Sequence, residues 1–249
     1  MTGSEAIGED ALLGGRVRLL QMKDGYRAAI DPVLLAAAIP AKSGERVLDL
    51  GAGVGAASLC LAARVPGVKV MGLDIQPALV QLATENAVLN KCDEDVAFVT
   101  GDLLDCTNGL PEGTFDHVMA NPPYLDSDSG NRPPNAAKAI ANIEGEADLV
   151  DWVQAAVRAV RRKGSVTFIH RGDRIDELLA AFHGKLGEIV IFPLWPGQGK
   201  AAKRVILTAR KGVASPARIS AGLVLHEEQG KFSKAANAIL KDSAPLFLT

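Results

Sequence analysis

Beyond residue 46 the chain alternates between two hydrophobic rhythms. Short, nearly continuous apolar runs at Arg46–Leu50, Lys69–Leu73, Val96–Thr100, Phe115–Ala120, Ser165–His170, Glu188–Leu194 and Val205–Ala209 read as buried strands. Between them, Val54–Val65, Pro77–Leu89, Ala147–Arg162 and Asp173–His183 carry the spacing of amphipathic helices. Strands alternating with helices predict an α/β fold built on a doubly wound, mostly parallel sheet. Only Trp195-Pro196-Gly197-Gln198-Gly199-Lys200 joins the last two strands, leaving no room for a crossover helix, so the last strand is expected to run antiparallel. Upstream, Arg16–Met22 and Tyr26–Ile30 flank a Lys23-Asp24-Gly25 turn and predict a short hairpin. Asp31-Pro32 then reads as a helix start, with Asp31 at the cap. Residues 1–15 are expected to be a flexible N-terminus. Residues 16–249 are expected to form one domain: 16–45 the hairpin and helix, 46–210 the core, and 211–249 a C-terminal extension with an extended run at Leu223–His226 and a helix at Ser233–Lys241.

Composition narrows the class. The 249 residues are 48% hydrophobic and 22% charged, as in a soluble globular protein. No apolar run is long enough to span a bilayer, and the polar, acidic start does not read as a signal peptide. A cytoplasmic location without membrane contact is the expectation. Cys60, Cys92 and Cys106 are odd in number and far apart, which suggests neither a disulfide framework nor a zinc site. The net charge of -2 is uneven: from Trp195 onward nine Lys or Arg face three acids, giving +6 and leaving -8 for the rest. Such asymmetry suits either a surface facing a polyanion or an ordinary solvated face.

The candidate chemistry gathers at strand ends. Val47–Ala62 reads as strand, glycine turn and helix, with Asp49 leading Gly51-Ala52-Gly53-Val54-Gly55. Such a turn offers backbone N–H groups and a positive helix end to a ligand. The third glycine comes one residue earlier than in a dinucleotide fingerprint. Asp74 ends the second core strand, where an acid can accept from both ribose hydroxyls of a nucleoside. Asp102 and Leu103 follow the third, where they can read an adenine edge. The fourth ends in Asn121-Pro122-Pro123-Tyr124. The Asn121 side-chain oxygen and the Pro122 carbonyl can accept both hydrogens of a planar amine. The prolines remove competing donors, and Tyr124 offers a ring for stacking. Placement and electrostatics then suffice, with neither a metal nor a strong base.

On these residues the chain resembles the class I S-adenosylmethionine (SAM) methyltransferases that carry an NPPY motif. Within them it is similar to the bacterial tRNA(Val) adenine-N6 methyltransferase family, from about Leu13 to the C-terminus. The lead-in DGYRAAIDPVLLAAA and the late strand KRVILTAR belong to that similarity. The resemblance implies a Rossmann-like, seven-stranded sheet with the last strand antiparallel. It implies that Asp49, Gly51, Ala52, Gly53, Gly55, Asp74, Ile75, Asp102, Leu103 and Asn121 bind SAM, and that Asn121, Pro122, Pro123 and Tyr124 hold the target amine. Arg132, Lys200, Lys203 and Arg204 would touch RNA, in all expectation tRNA. Two other acceptors stay open: the glutamine side chain of a release factor, whose methyltransferases share NPPY but carry an N-terminal helical domain, and guanine N2 of rRNA. The acidic stretch Glu144–Asp151 is not accounted for by the resemblance.

Overall fold

The first core strand, Arg46–Leu50 (β3), buries Val47, Leu48 and Leu50 completely, as a strand covered on both faces must. Its neighbours are Lys69–Asp74 (β4) on one side and Phe115–Ala120 (β6) on the other, both parallel to it. The computed structural model describes residues 7–23, 28–105, 111–123, 147–228 and 230–248. Val96–Thr100 (β5) extends the sheet beyond β4, and Val160–Arg171 (β7) pairs with β6 in parallel. Arg204–Lys211 (β9) runs antiparallel between β7 and Leu186–Trp195 (β8). Arg218–Ile219 (β10) and Leu223–Val224 (β11) add to the far side of β8. Among the described residues this makes a nine-stranded sheet of order β10-β8-β9-β7-β6-β3-β4-β5, with β11 also on β8. The core strands fall where the pattern puts them. The reversed strand is not the last in the chain, because two short parallel strands follow it.

Both faces of the sheet are covered. One carries Ile30–Ala38 (α1), Ala56–Arg64 (α2), Pro77–Leu89 (α3) and Lys234–Leu240 (α6), packed around Leu34, Leu35, Leu59 and Leu61. The other carries Leu149–Ala159 (α4) and Ile175–Phe182 (α5), packed around Trp152, Phe168 and Phe182. The C-terminal segment is tied to the first of these faces. Arg64 Nη1 donates to the Ala244 carbonyl at 2.8 Å, and Leu246 N to the Ala37 carbonyl at 2.8 Å.

The N-terminal region departs from the expectation. Ile7–Leu12 (β1) is a strand, paired antiparallel with Val17–Met22 (β2) from Ile7↔Met22 to Leu12↔Val17. Val17–Met22 therefore pairs with the segment before it, through a turn at Leu13–Gly15, and not with Tyr26–Ile30. Leu13 and Gly14, at φ 51° and 63°, close that turn, and Leu13 is buried. The alternation in IGEDAL was masked by its acidic residues. Residues 24–27 lie outside the described residues, and Ile30 already belongs to α1. Asp31 is not the helix cap. Ala29 takes that place, and the Asp31 carboxylate accepts from Arg204 Nε at 3.0 Å. An acid in the first turn still suits the helix dipole, and Pro32 is tolerated there. Part of the acidic stretch at Glu144–Asp151 has a local cause. Asp148 accepts from Asp151 N at 2.9 Å while Asp151 accepts from Asp148 N at 3.0 Å, a reciprocal cap on α4.

Candidate active site

Leu50 of β3 stands opposite Leu73 of β4 and Ala120 of β6. Gly51, Asp74 and Asn121 are therefore the next residues on three adjacent strands, at the carboxyl edge of the sheet. The chain winds outward in opposite directions from β3, which leaves the crevice where ligands bind doubly wound sheets.

The glycine turn is anchored from two sides. Gly51 N and Ala52 N donate to the Leu73 carbonyl at 2.8 and 3.0 Å, and Gly53 N donates to Asp74 Oδ2 at 2.8 Å. Gly51, at φ 66°, lies against the indole of Trp152 on α4, and a Cβ there would collide with the ring. Gly53, at φ 55°, is different: among the described residues, its chain neighbours aside, no atom lies within 4 Å of the position a Cβ would take. Its face of the turn is open for a ligand to meet the backbone. Gly55, at φ 86°, caps α2, so the helix N-terminus follows directly.

Two carboxyls sit under this turn. Asp49 is 2% exposed and accepts from Ser58 Oγ at 2.7 Å. Burial, aided by the nearby charge of Asp74 and opposed by the Ser58 bonds, pushes its pKa up to about 7. Asp74 is also raised by burial, against the bonds from the Gln76, Gly53 and Ile75 backbones. Its Oδ1 accepts from Gln76 N at 2.9 Å and its Oδ2 from Gly53 N, and a carboxylate with about four acceptor sites still has capacity for a hydroxyl beside these backbone bonds. This fits a ribose. Ile75 follows as an exposed apolar side chain. Asp102 Oδ1 accepts from Leu104 N at 2.9 Å, which turns the chain after β5, and the Leu103 carbonyl accepts from Arg158 Nη2 at 3.3 Å.

Asn121, Pro122 and Pro123 leave β6 beside the glycine turn. Tyr124 and Arg132 lie outside the described residues. Against Pro122 and Pro123 opens a cavity of about 550 Å³, bounded by the first turn of α4, by Trp152, by His170 at the end of β7, and by Arg174, Glu177 and Lys185. His170 did not stand out in the sequence. It is 1% exposed, and its pKa is lowered to about 4 by burial first and then by Arg174, with Arg204 and Arg171 adding and Glu177 opposing. It is thus a neutral imidazole at physiological pH. Arg174 donates to Glu177 from Nε at 2.8 Å. Signals for Ser58, Trp152 and His170 were absent because their roles come from packing across elements, which no local pattern encodes.

The basic residues sit on the same edge, since the β8–β9 connection leaves β8 at its carboxyl end. Lys200 and Lys203 are exposed. Arg204 is not equivalent to them: its guanidinium is held by Asp31 and the Lys203 carbonyl. Among the described residues no group of three or more His, Cys, Asp or Glu could hold a metal ion, and no helix is long and apolar enough to cross a membrane.

The chain is 27% identical over 209 residues to a tRNA1(Val) (adenine(37)-N6)-methyltransferase of Aeromonas hydrophila, covering 83% of this chain and 85% of that one. It is 42% identical over 99 residues to a release factor glutamine methyltransferase of Deinococcus radiodurans, covering 40% of this chain and 31% of that one. A solved structure of a predicted O-methyltransferase from Agrobacterium tumefaciens superposes with a TM-score of 0.73 at 24% identity, over 87% of this chain and 98% of that one, and this likeness concerns the fold. The model of the methyltransferase small domain matches residues 30–169. With that match spanning more than half of its length, the chain belongs to the methyltransferase small domain family and is a SAM-dependent methyltransferase.

Proposed function

We propose that this enzyme methylates an exocyclic amino group of a nucleobase, adenine N6 in a tRNA. The observation that carries the reading is the Asn121-Pro122-Pro123 turn at the end of β6, one strand from the glycine turn at the end of β3. SAM, when bound, supplies a methyl group on a positively charged sulfur. In this reading Asp74 holds the ribose, Asp102 and Leu103 read the adenine of the cofactor, Ile75 packs on its ring, and the open face of Gly53 admits it. The Asn121 side-chain oxygen and the Pro122 carbonyl accept the two hydrogens of the target amine. They hold the nitrogen with its lone pair toward the methyl group and favour its pyramidal form. A delocalised amine is a weak nucleophile, so orientation and fixed acceptors lower the barrier without a strong base. Tyr124 would stack on the base, Arg132 would meet the RNA, and Lys200 and Lys203 would meet its phosphates.

Similarity over most of both chains to the tRNA1(Val) (adenine(37)-N6)-methyltransferase supports the RNA reading. The release factor reading rests on higher identity over a shorter stretch, 40% of this chain, and is the second choice. Incubation with labelled SAM and either bulk tRNA or a release factor separates them. N6-methyladenosine in the digested tRNA is the expected product. N2-methylguanosine would move the target base, and label only in the release factor would replace the reading. Asn121→Ala should reduce turnover at least about a hundredfold with SAM binding kept, the scale of one oriented group lost at a reacting centre. Normal turnover in that variant would remove Asn121 from the mechanism.

A further inference from the structure

Asn86 lies on α3 and is 0% exposed. Its side chain is fully used. Oδ1 accepts from Leu20 N at 2.7 Å, while Nδ2 donates to the Leu20 carbonyl at 2.9 Å and to the Val54 carbonyl at 3.0 Å. Two carbonyl acceptors and one N–H donor fix which end of the amide is which. An ionised aspartate in its place could not donate to either carbonyl, and a hydrophobic residue would leave three part-buried backbone groups without this partner.

One turn later, Asn90 repeats the first half of the pattern. Its Oδ1 accepts from Arg18 N at 2.9 Å and its Nδ2 donates to the Arg18 carbonyl at 2.7 Å. Four residues of helix rise about 6 Å and two residues of strand about 6.8 Å, so two asparagines four apart can serve alternate residues of one strand edge. The outer edge of β2 is thus paired by side chains of α3, while β1 pairs the inner edge. Asn90 Nδ2 also donates to the Asn86 carbonyl at 2.8 Å, whereas Asn86 reaches across to the glycine turn. Val54 sits inside the glycine turn, between Gly53, whose N–H is on Asp74, and Gly55, which caps α2. The same amide therefore grips the hairpin and the turn.

We infer that Asn86 is a positioning residue that couples docking of the N-terminal hairpin to the shape of the cofactor turn, so that hairpin order and SAM binding reinforce each other. The inference rests on the assignment of Gly51–Gly55 to SAM. A turn held by Asp74 in front and Asn86 behind meets its ligand without first being ordered, and that order is lost if either anchor goes. Coupling of this kind is reciprocal: whatever the hairpin adds to SAM affinity, SAM returns to the hairpin.

Asn86→Ala should raise both the Kd and the KM for SAM by about fivefold or more, the lower end of ordinary coupling between sites. The KM for the methyl acceptor and kcat at saturating SAM should change by less than about twofold, a split that general destabilisation does not produce. Asn90→Ala should speed hydrogen exchange at the Arg18 amide yet leave SAM affinity within about twofold, because Asn90 touches no residue of the turn. In the unaltered enzyme, SAM should slow exchange at the Leu20 amide, and this measurement stands even if Asn86→Ala fails to fold. A folded Asn86→Ala enzyme with wild-type SAM affinity overturns the coupling, as does a Leu20 amide indifferent to SAM. Asp74→Ala separates the two levels. If it too binds SAM normally, the assignment of the turn has failed. If it loses affinity while Asn86→Ala does not, the turn is right and the coupling alone is wrong.

Discussion

SAM binding should depend on pH through Asp49. This carboxyl is buried beneath the glycine turn, holds one hydroxyl bond from Ser58, and titrates at about 7. The neutral acid therefore outnumbers the carboxylate about tenfold at pH 6, and the ratio inverts at pH 8. A sulfonium arriving above the turn favours the ionised form, since opposite charges lower the pKa of an acid. Binding then releases a proton. If only the carboxylate form binds well, the apparent Kd is multiplied by about 11 at pH 6 and by about 1.1 at pH 8, a tenfold weakening across two units. Isothermal titration calorimetry tests this directly. At pH 7 about half a proton should leave per SAM bound, seen as a dependence of the heat on the ionisation enthalpy of the buffer. The α-amino group of the ligand titrates at about 7.7–8.0, but in free solution it does so identically for every variant. Asp49→Asn is therefore the reference and should lose the part of the trend below pH 7, about fivefold between pH 7 and 6. Equal pH trends for wild type and Asp49→Asn would refute the reasoning.

Further outcomes follow from the same geometry. Asp74→Ala should weaken SAM binding at least about tenfold, because hydroxyls lose an ionised acceptor worth about 1.5–3 kcal/mol per bond and Gly53 loses its anchor; unchanged affinity by calorimetry would remove Asp74 from the site. Lys200→Ala with Lys203→Ala should reduce the slope of log K against log salt for RNA by about 0.7–0.9 per lost phosphate contact, with SAM affinity kept. Equal slopes in a filter-binding series would reduce these lysines to a solvated face. His170, lowered to about 4, resists protonation in the folded state, so its contribution is complete above about pH 6.5 and is lost as the pH falls toward 4. Asp49 acts in the opposite sense, because the folded state keeps its proton up to about pH 7 and the unfolded chain does not. An Asp49→Asn background removes that opposing trend, and comparison with and without His170 in it cancels what Asp74 and the other acids contribute. Urea unfolding there should show His170→Gln sparing about 2–3 kcal/mol of the loss between pH 7.5 and 4.5. An identical loss with and without His170 would contradict this.

The legible parts of the chain were those whose cause is local. β3, β5, β6 and α3 begin and end where hydrophobic period and proline placement put them. The reversed strand followed from the short connection after Trp195. The glycine turn and Asn121-Pro122-Pro123 could be read because strand ends and special backbone positions leave marks in sequence. What stayed hidden depends on partners distant in the chain. Asp31 looked like a cap because nothing nearby shows that Arg204, 173 residues later, takes its carboxylate. Ile7–Leu12 looked like a loose acidic terminus because its strand character depends on β2 and, through β2, on α3. Asn86 and Asn90 read as ordinary helix residues, since only the docked hairpin reveals their spacing as that of a strand edge. His170 read as a strand residue, and its neutral state comes from burial beside three arginines.

The unequal ends of the sheet bear on edge-to-edge pairing between copies of the chain. An unpaired strand edge is a template for a second molecule. At one end β8, ten residues long, is shielded by two-residue segments, with a bend between them at Gly222, whose φ is 80°. Such a broken border offers no continuous ladder to a stranger. At the other end β5 is five residues long and is the outermost strand among the described residues. A chain cut after Lys211 would keep its glycine turn but bare the whole outer side of β8. Aggregation, rather than lost chemistry, is then the first defect such a truncation would show.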